Sequence, residues 1–341
     1  MHLWRDQLSV TMQDRAARTR ANMVLVAIVR RFCEISRLRS FGLRGGDMTV
    51  YVIGGINQDI VATSDSHPRP GETLTGQDLN YYPGGKGANQ AVGAARAGAE
   101  SAMIGCTGSD AFGEGLRAYL VDAGVDCSRV RVTEDAPTGT ALIVVAGGEN
   151  SIIVVLGANG QVTSEHIDDI AFSSGDVVVA QFETPMETTL AGFKAARAAG
   201  GTTLLNPSPV VEPLEGLIQE TDVLVVNEHE FEAILGEPLA PVLSGGEMTS
   251  GYRGTVVVTL GEDGVLAIPS SGERIHHKGI RVDVQDSTGA GDCYMGYLAA
   301  SIHAGDDLAV ATGRANQAAA ISVTRPGAAS SIPASHEVDG S

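Results

Sequence analysis

Cysteine, aromatic side chains and positive charge are all scarce in this chain. Its four cysteines, Cys33, Cys106, Cys127 and Cys293, are scattered without the spacing of a disulfide framework or a thiolate metal site. They read as reduced thiols of a cytoplasmic protein. Aromatics make up 4% of residues, beside a hydrophobic content of 43% that is ample for a buried core. Lysine and arginine total 23 against 41 acidic residues, a formal charge of −18. That sign excludes a general nucleic-acid or membrane-surface role, because phosphate-rich partners would be repelled. It leaves ATP open, since backbone amides and Mg²⁺ meet that charge locally. Long apolar runs are missing too: the stretch Met23–Val29 is too short to span a bilayer, and no small-residue cleavage site follows it.

What basic charge there is lies at one end. Residues 1–47 hold nine arginines against four acids, +5, which leaves −23 for the other 294 residues. This leader is read as a poorly ordered extension rather than a transit peptide or a nucleic-acid arm. The fold is expected over 48–335, with 336–341 as a loose polar tail.

From residue 49 strands and helices alternate. "TVYVIGG" (49–55) is a β-branched run ending in a glycine turn, and "DVVVAQ" (176–181), "TTLLN" (202–206), "DVLVVN" (222–227) and "TVVVTLG" (255–261) are near-continuous apolar runs. Strands buried on both faces of a parallel sheet read this way. Helices are expected at 88–97, 111–123, 290–304 and 307–322. The runs 140–145 and 151–156, joined by Gly147-Gly148-Glu149-Asn150, carry a hairpin signature. The prediction is an α/β three-layer sandwich with a mostly parallel central sheet and a small β-sheet lid from about 60–82 and 138–156.

Four stretches carry chemistry. "GGKGANQA" (84–91) is a glycine-lysine turn ahead of a helix. It is not a Walker loop, because Lys86 is followed by Gly87 and Ala88 instead of Ser or Thr. The "GGINQD" after the first strand is not a dinucleotide fingerprint either. The remaining readings of the lysine turn are a backbone that lets a ligand press close, with Lys86 and Asn89 aimed at it, or a plain glycine-rich helix start. "DSTGAGDCYMG" (286–296) runs a Thr-Gly-Ala-Gly turn into a helix, so that successive N–H groups form an anion nest beside Asp292. An aspartate there can take a proton from a hydroxyl while a phosphate sits on the amides, or it can be a common helix cap. Asn57 and Asp59 lie two apart just past a strand end, placed to hold adjacent sugar hydroxyls or to form Asx turns. "NEHE" (227–230) follows a strand and opens a helix, where Asn227 and Glu230 could organise Mg²⁺-bound water. Glu183 in "QFETP" ends another strand, as a site residue or as a surface acid before a proline turn.

Together with "RPGET", "CTGSDAFGEG", "PTGTALI", "LNPSP", "VTLGEDG" and "AAISVTRPGA", these stretches occur in an order that resembles the ribokinase-like carbohydrate kinases, the phosphofructokinase-B family, over about residues 49–335. Residues 1–47 have no counterpart. The resemblance implies Mg²⁺-ATP-dependent phosphorylation of a sugar's terminal hydroxyl, and "GGKGANQA" is most similar to the branch that phosphorylates D-ribose at O5. Another sugar or a nucleoside (deoxyribose, fructose, adenosine) remains an alternative acceptor, and a non-catalytic sugar-binding regulator a more distant one. By the same resemblance, Asn57, Gln58, Asp59, Gly85, Lys86, Gly87, Ala88, Asn89 and Glu183 would hold the sugar. Asn227, Glu230, Thr259, Leu260, Gly261, Glu262, Asp263, Gly264, Gly291, Asp292 and Asn316 would hold the nucleotide. Asp292 would be the general base, with Gly289, Ala290 and Gly291 as the anion hole. A monovalent cation, K⁺ in the family, would lie at Asp286, Thr288, Ser322, Arg325, Gly327 and Ser331. The lid implies a homodimer. Ser287 stands where the family usually has threonine, and Asn316 where it often has histidine.

Overall fold

The computed structural model describes residues 48–271 and 273–340. The basic leader, residues 1–47, lies outside the described residues, and no helix among them is long and apolar enough to cross a membrane.

A nine-stranded sheet forms the centre. Its first strand, β1 (Val50–Ile53), is flanked by β4 (Ser101–Gly108) and β8 (Val177–Ala180), both parallel to it. Beyond β4 lies β5 (Val125–Thr133); beyond β8 come β9 (Thr202–Leu205), β10 (Val223–Asn227) and β11 (Thr255–Thr259), all parallel. Two short antiparallel strands, β12 (Val265–Ile268) and β13 (Ile275–His277), finish that edge. The order is β13-β12-β11-β10-β9-β8-β1-β4-β5. The chain therefore winds outward from β1 in one direction and, from β8, in the other. The boundary between β1 and β8 is a topological switch point, where a crevice opens at the carboxyl ends of the strands.

Each sheet face buries its own core. On one side Val50, Val52, Val179 and Val257 pack with Tyr294, Tyr297 and Leu298 of helix α6 (Ala290–His303) and with alanines of α1 (Lys86–Arg96) and α7 (Leu308–Ser322). On the other side Ile53, Val178, Leu224 and Val258 pack with Phe193 of α3 (Met186–Ala198) and Phe231 of α4 (Glu228–Leu235). This two-sided burial is why the central strands read as unbroken apolar runs. The remaining helices are α2 (Ala111–Asp122), α5 (Leu239–Leu243) and α8 (Ser335–Asp339).

A second sheet of four strands, ordered β3-β2-β6-β7, stands apart: β2 (Asn57–Thr63), β3 (Asp78–Gly84), β6 (Gly139–Ala146) and β7 (Glu149–Val155). Gly147 and Gly148, at φ 60° and 84°, make the tight turn between β6 and β7. The sheet is fastened by the Asp110 carboxylate at the start of α2, which accepts from Thr138 N (2.8 Å), Thr138 Oγ1 (2.6 Å) and Gly113 N (2.8 Å).

The polar tail differs from its sequence reading. Residues 335–339 form helix α8, with Val338 buried, Glu337 bonded to Arg325 at 2.5 Å and Asp339 to Arg314 at 2.8 Å. One buried apolar residue between two paired acids is enough to dock a segment that composition marks as loose.

Candidate active site

The crevice at the β1–β8 switch is built by glycines before it is furnished with polar groups. Gly54 and Gly55 follow β1, and Gly85 and Gly87 begin α1. A Cβ on Gly87 would lie 2.6–2.7 Å from Gly54 and Gly55 backbone atoms, and one on Gly85 2.6–2.7 Å from Gly55 O and Asn57 N. Gly85 also has φ 91°, which side-chained residues rarely adopt. Farther along, α1 crosses α6 where Gly93 faces Gly296; a Cβ on Gly296 would come within 2.7 Å of Gly93 Cα. These two close approaches set the N-terminal turn of α1 beside that of α6.

Asp292 sits where they converge. It is buried, and its carboxylate accepts from Asn89 Nδ2 on one oxygen (Oδ2, 2.9 Å) and from Gln90 Nε2 on the other (Oδ1, 2.9 Å). It is not the cap of α6, because Gly289, at φ 75°, holds that position. The first-turn N–H groups of α6 have no acceptor within their own helix. Gly291 is exposed, with open space where a Cβ would be. A buried carboxylate beside an accessible helix N-terminus can accept a proton while an anion is held on the amides.

Lys86, Asp59 and Glu183 face the same crevice. The lysine's pKa is raised, first by the Asp292 charge and then, against burial, by Glu183 and Glu230. Glu183 is buried rather than on the surface, and it accepts from Lys86 N at 2.7 Å. Burial is the first cause that pushes both Glu183 and Asp59 up to about 7, with Asp292 adding to each. Asn57 and Asp59 lie on one face of β2, not in an Asx turn. Gln58 points to the opposite face, because successive strand residues alternate, and its amide donates to Tyr82 O at 2.8 Å. The Gln58 amide, which also donates to Asp59 O at 3.3 Å, is therefore engaged by main-chain carbonyls on the face opposite the Asn57 and Asp59 side chains.

Two buried features were missed. Asn159 donates to Asn57 Oδ1 (2.7 Å) and accepts from Ile56 N (2.9 Å). Gln181 donates to Gln90 Oε1 (2.5 Å). The "GAN" following β7 is a weak turn signal that marks Asn159 only in retrospect; nothing local marks Gln181.

Across the crevice, Asn227 caps α4 by accepting from Glu230 N (2.8 Å), and Glu230 returns a carboxylate oxygen to Asn227 N (2.9 Å). The pair is thus a capping box, engaged in holding the helix start. The turn Gly261–Asp263 follows β11, and Gly264 presses on residues 277–279 so tightly that no Cβ fits. Asn316 Nδ2 donates to Lys278 O (3.0 Å) and holds that segment from α7. Thr259, Leu260, Gly261, Glu262, Asp263, Gly264 and Asn316 are thereby grouped along one wall.

Asp286 accepts from Thr288 N (2.9 Å) and Gly327 N (2.8 Å), and burial, which would raise its carboxyl, is outweighed by the Thr288 side-chain hydrogen bond and these two amides, which hold it below the usual range. Ser331 Oγ donates to Ala328 O, and a Cβ on Gly289 would lie 2.8 Å from Ala328 Cβ. The 326–331 turn therefore abuts the first turn of α6.

A switch-point crevice with a buried carboxylate, a lysine and a helix N-terminus suits phosphoryl transfer on an α/β fold. The sequence matches the pfkB family of carbohydrate kinases over residues 48–335, and the chain belongs to that family. It is 36% identical to a ribokinase of Haemophilus influenzae over 298 residues, covering 85% of this chain and 96% of that one. It also resembles the crystal structure of ribokinase from Thermotoga maritima (TM-score 0.75, 35% identity, 86% of this chain and 98% of that one). Ribokinase from Arabidopsis thaliana, solved with ribose and ATP, is similar at TM-score 0.77 and 28% identity, over 86% and 98% of the two chains.

Proposed function

We propose that this sugar kinase transfers the γ-phosphoryl group of ATP to O5 of D-ribose, giving ribose 5-phosphate and ADP. The observation that carries the reading is the placement of Asp292, buried and held through both oxygens beside the α6 N-terminus. Asp292 takes the proton from the attacking hydroxyl, the new O–P bond forms, and the bond from phosphorus to the ADP oxygen breaks. The Gly289, Ala290 and Gly291 amides stabilise charge on the transferring group. Asn57, Asp59, Lys86, Asn89 and Glu183 orient the sugar. The likeness to ribokinases supports ribose as the acceptor.

Two ions belong to this reading. Mg²⁺, brought with ATP, supplies charge neutralisation on the phosphates, with Glu230 the nearby acid. Asp286 fits a cation: its carboxylate is held by the Thr288 side chain and by the Thr288 and Gly327 amides and has no lysine or arginine partner among the described residues, while Arg325 is engaged by Glu337. K⁺ would be held there with oxygens of Thr288, Ser322, Arg325, Gly327 and Ser331, and would fix the 286–291 turn. A homodimer through the small sheet completes the proposal, because both its edges, β3 and β7, are unpaired among the described residues.

The test measures ADP release with Mg²⁺-ATP on D-ribose, 2-deoxyribose, fructose and adenosine, in K⁺ and in Na⁺, for the wild type and Asp292→Asn. Turnover greatest on ribose, raised by K⁺ and lost by about 10²-fold or more in the variant supports the acceptor, the monovalent cation and the base. Best turnover on another acceptor keeps the mechanism and changes the substrate; an active Asp292→Asn removes Asp292 as base.

A further inference from the structure

Asp292 is gripped from two sides that are not equivalent. Its Oδ2 meets Asn89, a residue assigned above to the sugar. Its Oδ1 meets Gln90, which is fully buried and lies on the interior side of α1. Gln90 is itself held: its Oε1 accepts from Gln181 Nε2 at 2.5 Å, across 91 residues of sequence. Gln181, also fully buried, follows β8 at the switch point. Its Oε1 occupies the place a Cβ on Gly54 would take. Two buried amides thus run in line from the central sheet to the carboxylate.

The chain of bonds has one polarity. An amide that donates to a carboxylate must present its NH₂ to it, so Gln90 has only its oxygen left for Gln181, and Gln181 must present its NH₂ in turn. Neither amide can flip without setting oxygen against oxygen. No ionisable group takes part in the relay apart from Asp292. The charges that face the carboxylate come from other elements: Lys86 on α1, Asp59 on β2 and Glu183 after β8.

We propose that Gln90, supported by Gln181, is a positioning residue for the base. It holds Oδ1 away from substrate and leaves Oδ2, on the Asn89 side, as the oxygen that receives the hydroxyl proton when the O–P bond forms. This inference rests on the assignment of Asp292 as base. Gln90 touches no reacting atom; it removes the alternative rotamers in which the carboxylate would turn from the hydroxyl, and a displacement of about 1 Å at a reacting group can cost about 10²-fold in rate.

Three variants test it with D-ribose and Mg²⁺-ATP. Gln90→Leu is expected to lower kcat by roughly 10- to 100-fold with the sugar KM changed less than about threefold, because orientation and not binding is lost. Gln90→Glu keeps the length of the side chain and still accepts from Gln181, but sets a second carboxylate against Oδ1. The two must share a proton, so the acid limb of the kcat–pH profile is expected to move up by about a unit or more, with turnover recovering at high pH. Gln181→Met leaves Asp292 untouched and is expected to lower kcat in the same direction. It and Gln90→Glu carry the test should Gln90→Leu not fold. An unmoved acid limb in Gln90→Glu, or variants that raise KM at constant kcat, would overturn the proposal. Asp292→Asn in the same assay separates the two levels: if it retains turnover, the base assignment fails whatever the glutamine variants do.

Discussion

Gly87 lies against Gly54 backbone to backbone, with 2.7 Å between the Gly54 Cα and the place a Cβ on Gly87 would occupy. The glycine-lysine stretch is thus neither a phosphate loop nor a bare helix start. Its third glycine lets the entry of α1 sit on the turn after β1, and so lets Lys86 and Asn89 reach the same crevice as Asn57. Gly87→Ala places a methyl among three backbone atoms that cannot rotate away. The expected result is destabilisation by about 1–3 kcal/mol, together with a fall in kcat/KM, read by urea denaturation and by sugar kinetics. An alanine variant as stable and as active as the parent would show that the approach is looser than found.

Asn159 settles which end of the Asn57 amide faces the crevice. Its Nδ2 donates to Asn57 Oδ1, so Asn57 has its NH₂ left to offer a sugar oxygen. Asn159→Leu leaves Ile56 N and Asn57 Oδ1 without these partners and frees the Asn57 amide to rotate. We expect the sugar KM to rise several-fold while kcat changes less, and stability to drop by about 1–3 kcal/mol. Isothermal titration with D-ribose checks the first part. Sugar affinity equal to that of the wild type would mean that Asn57 is oriented by other contacts or does not bind sugar.

The central strands were legible because a strand buried twice reads as a continuous apolar run, and the place of Asp292 in the first turn of α6 because a glycine turn enters a helix there. β5 escaped notice because its buried residues, Val125 and Val130, are five apart, and a register shift opposite Ala102–Ile104 breaks its alternation. β12 and β13 are only four and three residues long, at the sheet edge. Asn159 and Gln181 were invisible for another reason. A buried amide is informative only through its partner, and theirs lie 102 and 91 residues away. Sequence spacing does not record such pairs. "NEHE" was read for Mg²⁺-bound water, and the structure shows what its spacing also encodes: Asn227 and Glu230 bond each other's backbone amides in a capping box.

The small sheet exposes large apolar side chains, among them Ile153 at 65%, Tyr81 at 54% and Leu79 at 52%. The strand register puts these three on one face, opposite to the face that carries Asp59. A contiguous apolar face of this kind is poorly tolerated by a monomer. If it joins two copies, Ile153→Lys converts a dimer into a monomer in sedimentation velocity. Because Ile153 lies away from the crevice side chains, the acceptor range of the monomer is expected to stay as in the wild type. Wild-type protein that sediments as a monomer would refute the pairing.

Asp59 and Glu183 tie both stability and sugar binding to pH. Burial raises each to about 7 in the folded chain, whereas unfolded carboxyls titrate near about 4. Between those values the folded state holds more protons than the unfolded one, so these two groups contribute stability that is complete below about 4 and is lost as the pH rises through about 7. Asp59→Asn removes one of them. Compared with the wild type, the variant is expected to lose part of this downward trend in unfolding free energy between pH 5 and 7.5, measured by urea titration at several pH values. Sugar binding carries the opposite sign: an ionised Asp59 is the better acceptor for hydroxyls, so the ribose KM of the wild type should fall as the pH rises from 6 to 8. The variant should show a flatter profile. Parallel stability and KM profiles for the two proteins would mean that Asp59 does not titrate in this range, and the crevice would then owe its pH response to Glu183 alone.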